Sequence, residues 1–301
     1  MIKPIYIFFL LIIASSCEKN IEYKFEDFQA QMVVNAFISP QEGIQVQVSR
    51  SIPPNQDVLK TKIWINNAKV SLYLNEQFIM QVPFQKNGIY KSPIEDLNPN
   101  QSNKYHIVVE HPDFGNVSSE AILIPLGPIV LSSTLEPSPN LSINGDPQLR
   151  WAFRLKDSST EEGAYLTVIN LKDSRNAYSE SPPNITLLNI KIGQFCDLVY
   201  TYGNNLLFKN ECIRGQEVDL IFEFDVPNRI GGIGQNFTPD LIECKIYTVS
   251  KDFYEYYRTQ NRPEDFELAF SDPEPLFTNM KGGYGVFLAF NYAEFSFPIP
   301  K

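Results

Sequence analysis

Residues 149–156, Leu149-Arg150-Trp151-Ala152-Phe153-Arg154-Leu155-Lys156, place a large apolar side chain at every second position. Side chains of an extended strand point to opposite faces in turn, so this period gives one face for a core and one for water. On a helix the same residues would scatter around the circumference. The period recurs along the chain. Ile44, Val46 and Val48 alternate with Gln45, Gln47 and Ser49, and Val70, Leu72 and Leu74 repeat the pattern. So do Tyr105, Ile107 and Val109, while Val218, Leu220, Phe222 and Phe224 share one face. Apolar runs at 32–38, 117–124, 164–171, 185–192 and 241–249 add further strands. A chain built from such segments is mostly β.

Turn residues divide these strands into two groups. Gly88-Ile89-Tyr90 and Leu97-Asn98-Pro99-Asn100 mark turns inside the first group. Its order of Gly88-x-Tyr90, Leu97 and Tyr105-His106-Ile107 resembles small prealbumin-like or immunoglobulin-like sandwiches. Pro125, Gly127 and Pro128 then break the pattern. Two β-sandwich domains are expected, an N-terminal one over 31–125 and a C-terminal β-rich one over 126–301. One helix is expected in the second, over 251–261. Ser250 is its N-cap, Phe253, Tyr256 and Tyr257 form an i, i+3, i+4 stripe for a sheet, and Pro263 is its stop. Gly231-Gly232-Ile233-Gly234 is expected as a flexible loop, since it lacks the spacing and the lysine of a phosphate cradle.

The first seventeen residues carry the clearest functional signal. Lys3 is followed by nine apolar residues, Ile5 to Ile13, then by Ala14-Ser15-Ser16 and Cys17. A basic start, a short apolar run and small residues make an export signal. The run falls well short of the roughly 20 residues that span a bilayer. A cysteine directly after the small residues is the acceptor of a bacterial lipoprotein lipid, with 1–16 as signal peptide and 17–30 as tether. Ala14 stands where leucine is usual. The competing expectation is plain secretion, with Cys17 free or in a disulfide.

Hydrophobic content of 43% against 20% charge is globular composition, and the formal charge is −10. That charge argues against nucleic acid, whose phosphates need a basic patch. It equally argues against binding an acidic lipid surface by charge. An exported chain meets oxidising conditions, where disulfides persist. Cys196 and Cys212 flank the turn Tyr202-Gly203-Asn204-Asn205 and are the favoured pair, with Cys244 buried and free. Pairings through Cys244 stay open, because spacing does not fix connectivity. With two distant histidines, His106 and His111, and no C-x-x-C, neither metal nor cofactor is expected. No nucleophile elbow or zinc-protease motif occurs, and no catalytic residue is assigned. Carboxylates such as Glu161-Glu162 and Glu264-Asp265 leave a glycosidase pair open, though acidic turn residues are ordinarily solvated surface. The ligand-contact candidates are Trp64, which faces away from Ile63 and Ile65, and the loop holding Tyr200, Tyr202, Asn204 and Asn205. Trp64 lying under a loop is an equal alternative.

Near the C-terminus, Phe270-Ser271-Asp272-Pro273-Glu274-Pro275 and Asn279-Met280-Lys281-Gly282-Gly283-Tyr284-Gly285-Val286-Phe287 resemble the closing motif of a Bacteroidota lipoprotein family, domain of unknown function 4249. The opening Val33-Val34-Asn35-Ala36, the strand ending in Ser49-Arg50-Ser51, Asn67-Ala68-Lys69-Val70 and the tyrosine-rich helix after Ser250 fit the same family. It departs at Ala36, where glycine is usual. The resemblance implies a lipid-anchored outer-membrane protein on the cell exterior. It also implies a TonB-dependent receptor as partner and a non-enzymatic, accessory or ligand-binding role in nutrient uptake. The rival expectations are a structural or adhesive surface lipoprotein and, behind it, a surface hydrolase of glycan or peptide. Gly282, Gly283 and Gly285 are expected to be structural, allowing positive φ or close backbone approach.

Overall fold

The alternating segments pair as their period dictates. β1 (Met32–Ser39) and β2 (Gly43–Arg50) form an antiparallel hairpin that sets Ala36 opposite Val46 and Val34 opposite Val48. In the computed structural model the described residues are 28–94, 97, 99, 102–141, 145, 147–157, 162–173, 185–187, 198–200, 205–225, 230–232, 235–237, 239–260 and 275–299. β3 (Lys69–Leu74) leads into β4 (Gln77–Gln81), and β5 (Phe84–Lys86) turns back as β6 (Ile89–Ser92). Asn87 and Gly88 both take positive φ in that turn, the conformation an Asn-Gly hairpin supplies at little cost. β7 (Lys104–His111), β8 (Gly115–Ser119) and the short β9 (Ile122–Leu123) follow. The run 117–124, expected as one strand, is thus two, broken at Glu120-Ala121.

The second group begins with β10 (Ile129–Leu141), paired along β11 (Pro147–Lys156). β10 carries Pro137 and Pro139 and lies at a sheet edge, where a missing N–H breaks no ladder. β12 (Gly163–Lys172), β13 (Ile185–Leu187), β14 (Leu198–Tyr200) and β15 (Leu206–Lys209) precede a 3-10 turn, Asn210–Ile213. β16 (Glu217–Asp225) and the pair β17 (Ile230–Gly232) and β18 (Gln235–Phe237) come next. Of the stretch expected as a flexible loop, Gly231 and Gly232 therefore lie in a hairpin strand, since Gly231 pairs with Asn236, while Ile233 and Gly234 are outside the described residues. β19 (Leu241–Ser250) runs into α1 (Lys251–Gln260), and β20 (Met280–Lys281) and β21 (Tyr284–Pro298) close the chain. The Ser250 hydroxyl accepts the Phe253 N–H at 3.4 Å, the expected N-cap. Phe253 and Tyr254 are buried, and Tyr256 and Tyr257 pack half-buried beside them.

These elements assemble into two sandwiches that share one sheet. The shared sheet has nine strands in the order β14-β15-β12-β19-β21-β1-β2-β6-β5. A six-stranded sheet built on β20-β8-β7-β3-β4, with β9 on β7, completes the first sandwich. A four-stranded sheet, β10-β11-β16-β13, completes the second. β21 joins the halves. Its residues 284–289 run parallel to β1, and its residues 290–298 run antiparallel to β19. Along β21, Phe287 and Ala289 enter the first core and Phe295 and Phe297 pack on the second. All four are odd-numbered, so both small sheets cover the same face of the shared sheet. Val286, Leu288 and Phe290 face the other way, under α1. The C-terminal strand thus serves the cores on both sides of residues 125–126.

The seam needs a glycine and a buried amide. Gly285 sits at φ +115°, and a Cβ there would lie 2.0 Å from the Val34 carbonyl oxygen, so no side chain fits. Gly282 also takes positive φ, as expected for this motif. Asn291, buried where β21 passes between cores, donates to the Pro125 carbonyl at 3.1 Å and accepts from the Gln41 amide at 2.7 Å. It fixes the linker between the sandwiches onto the strand they share.

Candidate functional site

The linker held by Asn291 forms one wall of a cleft of about 640 Å³ between the two sandwiches. Its apolar wall comes from β9 and the linker, with Ile122, Ile124, Leu126 and Ile129. The facing wall is the end of the second sandwich: the start of β12, the end of β19, the 3-10 turn and the first residues of α1. A cleft between units, of a few hundred Å³, with apolar walls and a few converging polar groups, is where small ligands are ordinarily bound.

Thr248 is the telling side chain. It lies on the inner face of β19, two residues past Ile246 of the second core, and is 6% exposed. Thr248 lines the cleft, and its buried hydroxyl has no hydrogen-bond partner among the described residues. Leaving a buried hydroxyl unsatisfied costs about 1–3 kcal/mol, and such groups in native proteins call for an explanation.

Charge is placed around that hydroxyl. Lys251 bridges to Glu162 at 2.5 Å, a bond that holds the Glu162 carboxyl below the usual range and raises the Lys251 amine. Asp252 behaves in the opposite way. Burial pushes its carboxyl up, and the hydrogen bond from the Asn279 amide at 2.7 Å only partly offsets this. That bond ties the start of α1 to the C-terminal segment, because Asn279 also pairs with both backbone groups of Phe287. Asp252 is therefore engaged structurally. Arg214 projects from the turn after residues 210–213. Asp157 pins that turn by accepting the Gly215 N–H at 3.1 Å and the Tyr165 hydroxyl at 2.6 Å. Burial and the neighbouring Asp157 push the Tyr165 phenol up, so it stays a neutral donor. Lys156 pairs with Glu217, whereas Arg214 and Lys104 form no ion pair among the described residues. With Glu120 and Asp252 counted, the cleft is lined by four cationic side chains against three carboxylates, a small positive excess.

A second, smaller hollow of about 270 Å³ lies on the other face of the shared sheet, against α1. Phe37, Tyr247, Phe253, Tyr257 and Phe290 line it, with Phe253 stacked on Tyr257 at 4.6 Å and Tyr247 edge-on to Phe290 at 5.7 Å. These rings continue the packing of the helix onto the sheet.

The residues expected to touch a ligand lie elsewhere. Trp64 is exposed and sits on the loop after β2, where it forms a single bridge to Ser49. Tyr200 ends β14, and its side chain is outside the described residues, as are Tyr202 and Asn204; Asn205 is half-buried before β15. Cys17 and Cys196 are outside the described residues as well. Cys212 is disulfide-bonded to a partner outside the described residues, and Cys244 is free and buried, where desolvation pushes its thiol up. Among the described residues no cluster of three or more His, Cys, Asp or Glu is placed to hold a metal. Thr248 and Arg214 were not singled out from sequence. The signal that could have found the cleft is the Pro125-Gly127-Pro128 break, since junctions between units are where such sites form.

The fold defines the class: a mostly-β protein of two sandwiches on a shared sheet. A family model described as domain of unknown function (DUF4249) matches residues 18–296, and the chain belongs to that family. No curated protein matches it. The chain is similar to a structure described as the BSP domain of a biofilm-associated protein, with 9% identity, 94% of this chain covered and a TM-score of 0.24. It spans 61% of that chain's length. It is also similar to the collagen-binding domain of the Erysipelothrix rhusiopathiae surface protein RspB. There the identity is 10%, the coverage 88% of this chain and 96% of that one, and the TM-score 0.21. Overlaps this loose carry nothing about what the present chain binds.

Proposed function

We propose that the protein is a non-enzymatic lipoprotein, anchored through Cys17 in the outer membrane and facing the exterior. In this reading it binds a small ligand for a TonB-dependent transporter. The observation that carries the binding role is the junction cleft, lined by Thr248, whose buried hydroxyl has no hydrogen-bond partner among the described residues, and by Arg214, which forms no ion pair among them. The spare cations favour a ligand with an anionic group, and the wall of Ile122, Ile124 and Leu126 favours an apolar body next to it. The signal at 1–16 and the family membership support the anchor and the transporter. Purification from mildly solubilised native membranes by a tag after Lys301, followed by mass spectrometry of proteins and small molecules, tests this reading. A large β-barrel receptor should co-purify, and an organic acid should be present in the wild type and depleted in Arg214→Glu. Repeated recovery of the protein alone and empty would count against it.

One observation favours the adhesive alternative. Among the described residues β4 and β5 end their sheets as unpaired edges, and Phe78 and Phe84 on them are exposed. Under that reading a deletion changes attachment and leaves growth on every single nutrient unaltered.

A further inference from the structure

The loop between β2 and β3 holds apolar side chains out in solvent by design of its hydrogen bonds. Leu59 is 95% exposed and Val58 56%. Asp57 builds the turn that presents them: its carboxylate accepts the Leu59 N–H at 2.9 Å, and its carbonyl accepts the Lys60 N–H at 3.2 Å and the Thr61 hydroxyl at 2.8 Å. The base of the loop is zipped. Arg50 N–H donates to the Ile63 carbonyl at 2.9 Å, the Arg50 side chain reaches the Lys62 carbonyl at 3.0 Å, and Ile65 N–H donates to Val48 at 3.1 Å. Trp64, 43% exposed, stands at that base. The tip is therefore a held projection.

Its position supplies the occupant. Ser51 and Gln31 clasp each other, with Ser51 N–H to the Gln31 carbonyl at 2.8 Å and Gln31 N–H to the Ser51 hydroxyl at 2.9 Å. The loop thus starts beside the point where the chain arrives from Cys17. The twelve residues from Cys17 to Phe28, eleven steps along the chain, reach at most about 40 Å when extended, so a lipid at Cys17 keeps this end of the molecule near the bilayer. Lys60 pairs with Asp57 at 3.2 Å at the tip, and Arg50 and Lys62 meet at the base, so the loop carries three cations against one carboxylate on an acidic protein. An apolar tip, a tryptophan behind it and flanking cations are the parts of an interfacial membrane contact.

We infer that the β2–β3 loop is a second membrane contact, in which Val58 and Leu59 enter the lipid surface and Trp64 lies at headgroup level. The inference rests on lipidation at Cys17. Such a contact would set the sandwiches at a fixed tilt to the bilayer instead of leaving them free on a string.

The full-length acylated protein, reconstituted on phosphatidylcholine vesicles carrying acyl-brominated lipid, tests it. Trp64 and Trp151 are the two tryptophans, and Trp151 is fully buried, so quenching reports Trp64. The wild type should sediment with vesicles and lose emission to the bromolipid, and Trp64→Phe should lose that response. Val58→Glu with Leu59→Glu, at exposed positions that leave the core untouched, should sediment as the wild type does and be unquenched. A sedimenting wild type whose Trp64 is unquenched overturns the loop contact, as does a double variant quenched like the wild type. Cys17→Ser separates the anchor. If it sediments and is quenched as the wild type is, the lipid reading fails and the loop contact stands. A wild type that stays in solution overturns both.

Discussion

The two sandwiches are built from different materials. The first core is mainly aliphatic, with Tyr90, Tyr105 and Phe287 as its rings: Val34, Ala36, Ile38, Val46, Val70 and Ile107 interdigitate, and the buried polar groups beside them are Ser39, Ser71, Ser92, Ser119 and His111. The second is ringed. Trp151, Phe153 and Phe222 pack with centroids 4.5–5.7 Å apart, and Tyr165 meets Phe208. Among the described residues every buried carboxylate, Asp157, Asp173, Glu223 and Glu243, belongs to that second unit. Glu223 takes hydrogen bonds from Ser138, Asn140 and Arg150, which bring β10 and β11 onto β16. Glu243 gathers Lys172, Lys245 and Asn170. Methyl burial is indifferent to pH and tolerant of small exchanges, whereas buried ion clusters are unforgiving when one member is lost. The unit that carries the polar wall of the cleft is the unit with ionic supports.

Glu243→Ala should break this comparison open most widely. It would leave Lys172 and Lys245, each about one-seventh exposed, without their shared carboxylate. Removing one partner of a buried pair costs about 3–5 kcal/mol, whereas Ile107→Val in the first core should cost about 1 kcal/mol. Hydrogen-exchange mass spectrometry in increasing urea should show β12, β16 and β19 losing protection early in Glu243→Ala while β3 and β7 keep it. Acid should expose the same asymmetry. Burial works to raise both Glu223 and Glu243, but their hydrogen bonds and cations outweigh it and hold both below the ordinary 4.5. Their stabilisation is complete above 4.5 and is lost as pH falls through the lower folded values. Trp151 emission, read in a Trp64→Phe background, should therefore report opening of the second core below that point, ahead of any loss of protection in β3 and β7.

Gly285→Ala tests the seam. A methyl at that position meets the Val34 carbonyl at 2.0 Å in a backbone conformation that side chains rarely adopt. The parallel pairing of β21 with β1 has to shift, at a cost of about 3 kcal/mol. Because β21 feeds both cores, thermal unfolding of Gly285→Ala should lower both transitions, in contrast to the one-sided effect of Glu243→Ala.

What the sequence reveals follows from where the determinant lies. Strands such as β2, β11 and β16 pack one face on a core, so burial writes a period of two into their own residues. β4, with its exposed Phe78 and Ile79, is a sheet edge with little to bury, and β10 with two prolines breaks the local rules an edge strand is free to break. The double role of β21 depends on partners at opposite ends of the chain, Val34 and Val249, and leaves no local trace beyond the glycine run. The cleft was the least legible feature. Its defining groups, Thr248 and Arg214, look like an ordinary strand threonine and an ordinary turn arginine, and only the assembly of two units gives them a shared space. Trp64, for which exposure and a place under a loop are equal expectations from sequence, is exposed, and it stands at the end where the chain arrives rather than at the cleft.

The smallest effect belongs to Asp252, and its sign is the reverse of the glutamates'. Burial raises its folded-state carboxyl above the ordinary value, so any stability linked to its protonation is present at low pH and lost as pH rises through the folded value. At neutral pH the ionised Asp252 is thus a slight burden on the cleft wall. Asp252→Asn keeps an acceptor for the Asn279 amide and removes the charge. It should be neutral or stabilising by about 0.5 kcal/mol at pH 7, with the gain shrinking toward acid. Thermal melts of the pair between pH 4 and 8 check this. A clear loss of stability at pH 7 would mean that the carboxylate is needed at the start of α1, where the helix dipole favours a negative charge. In that case the ionic supports of the second unit would extend to the edge of the cleft itself.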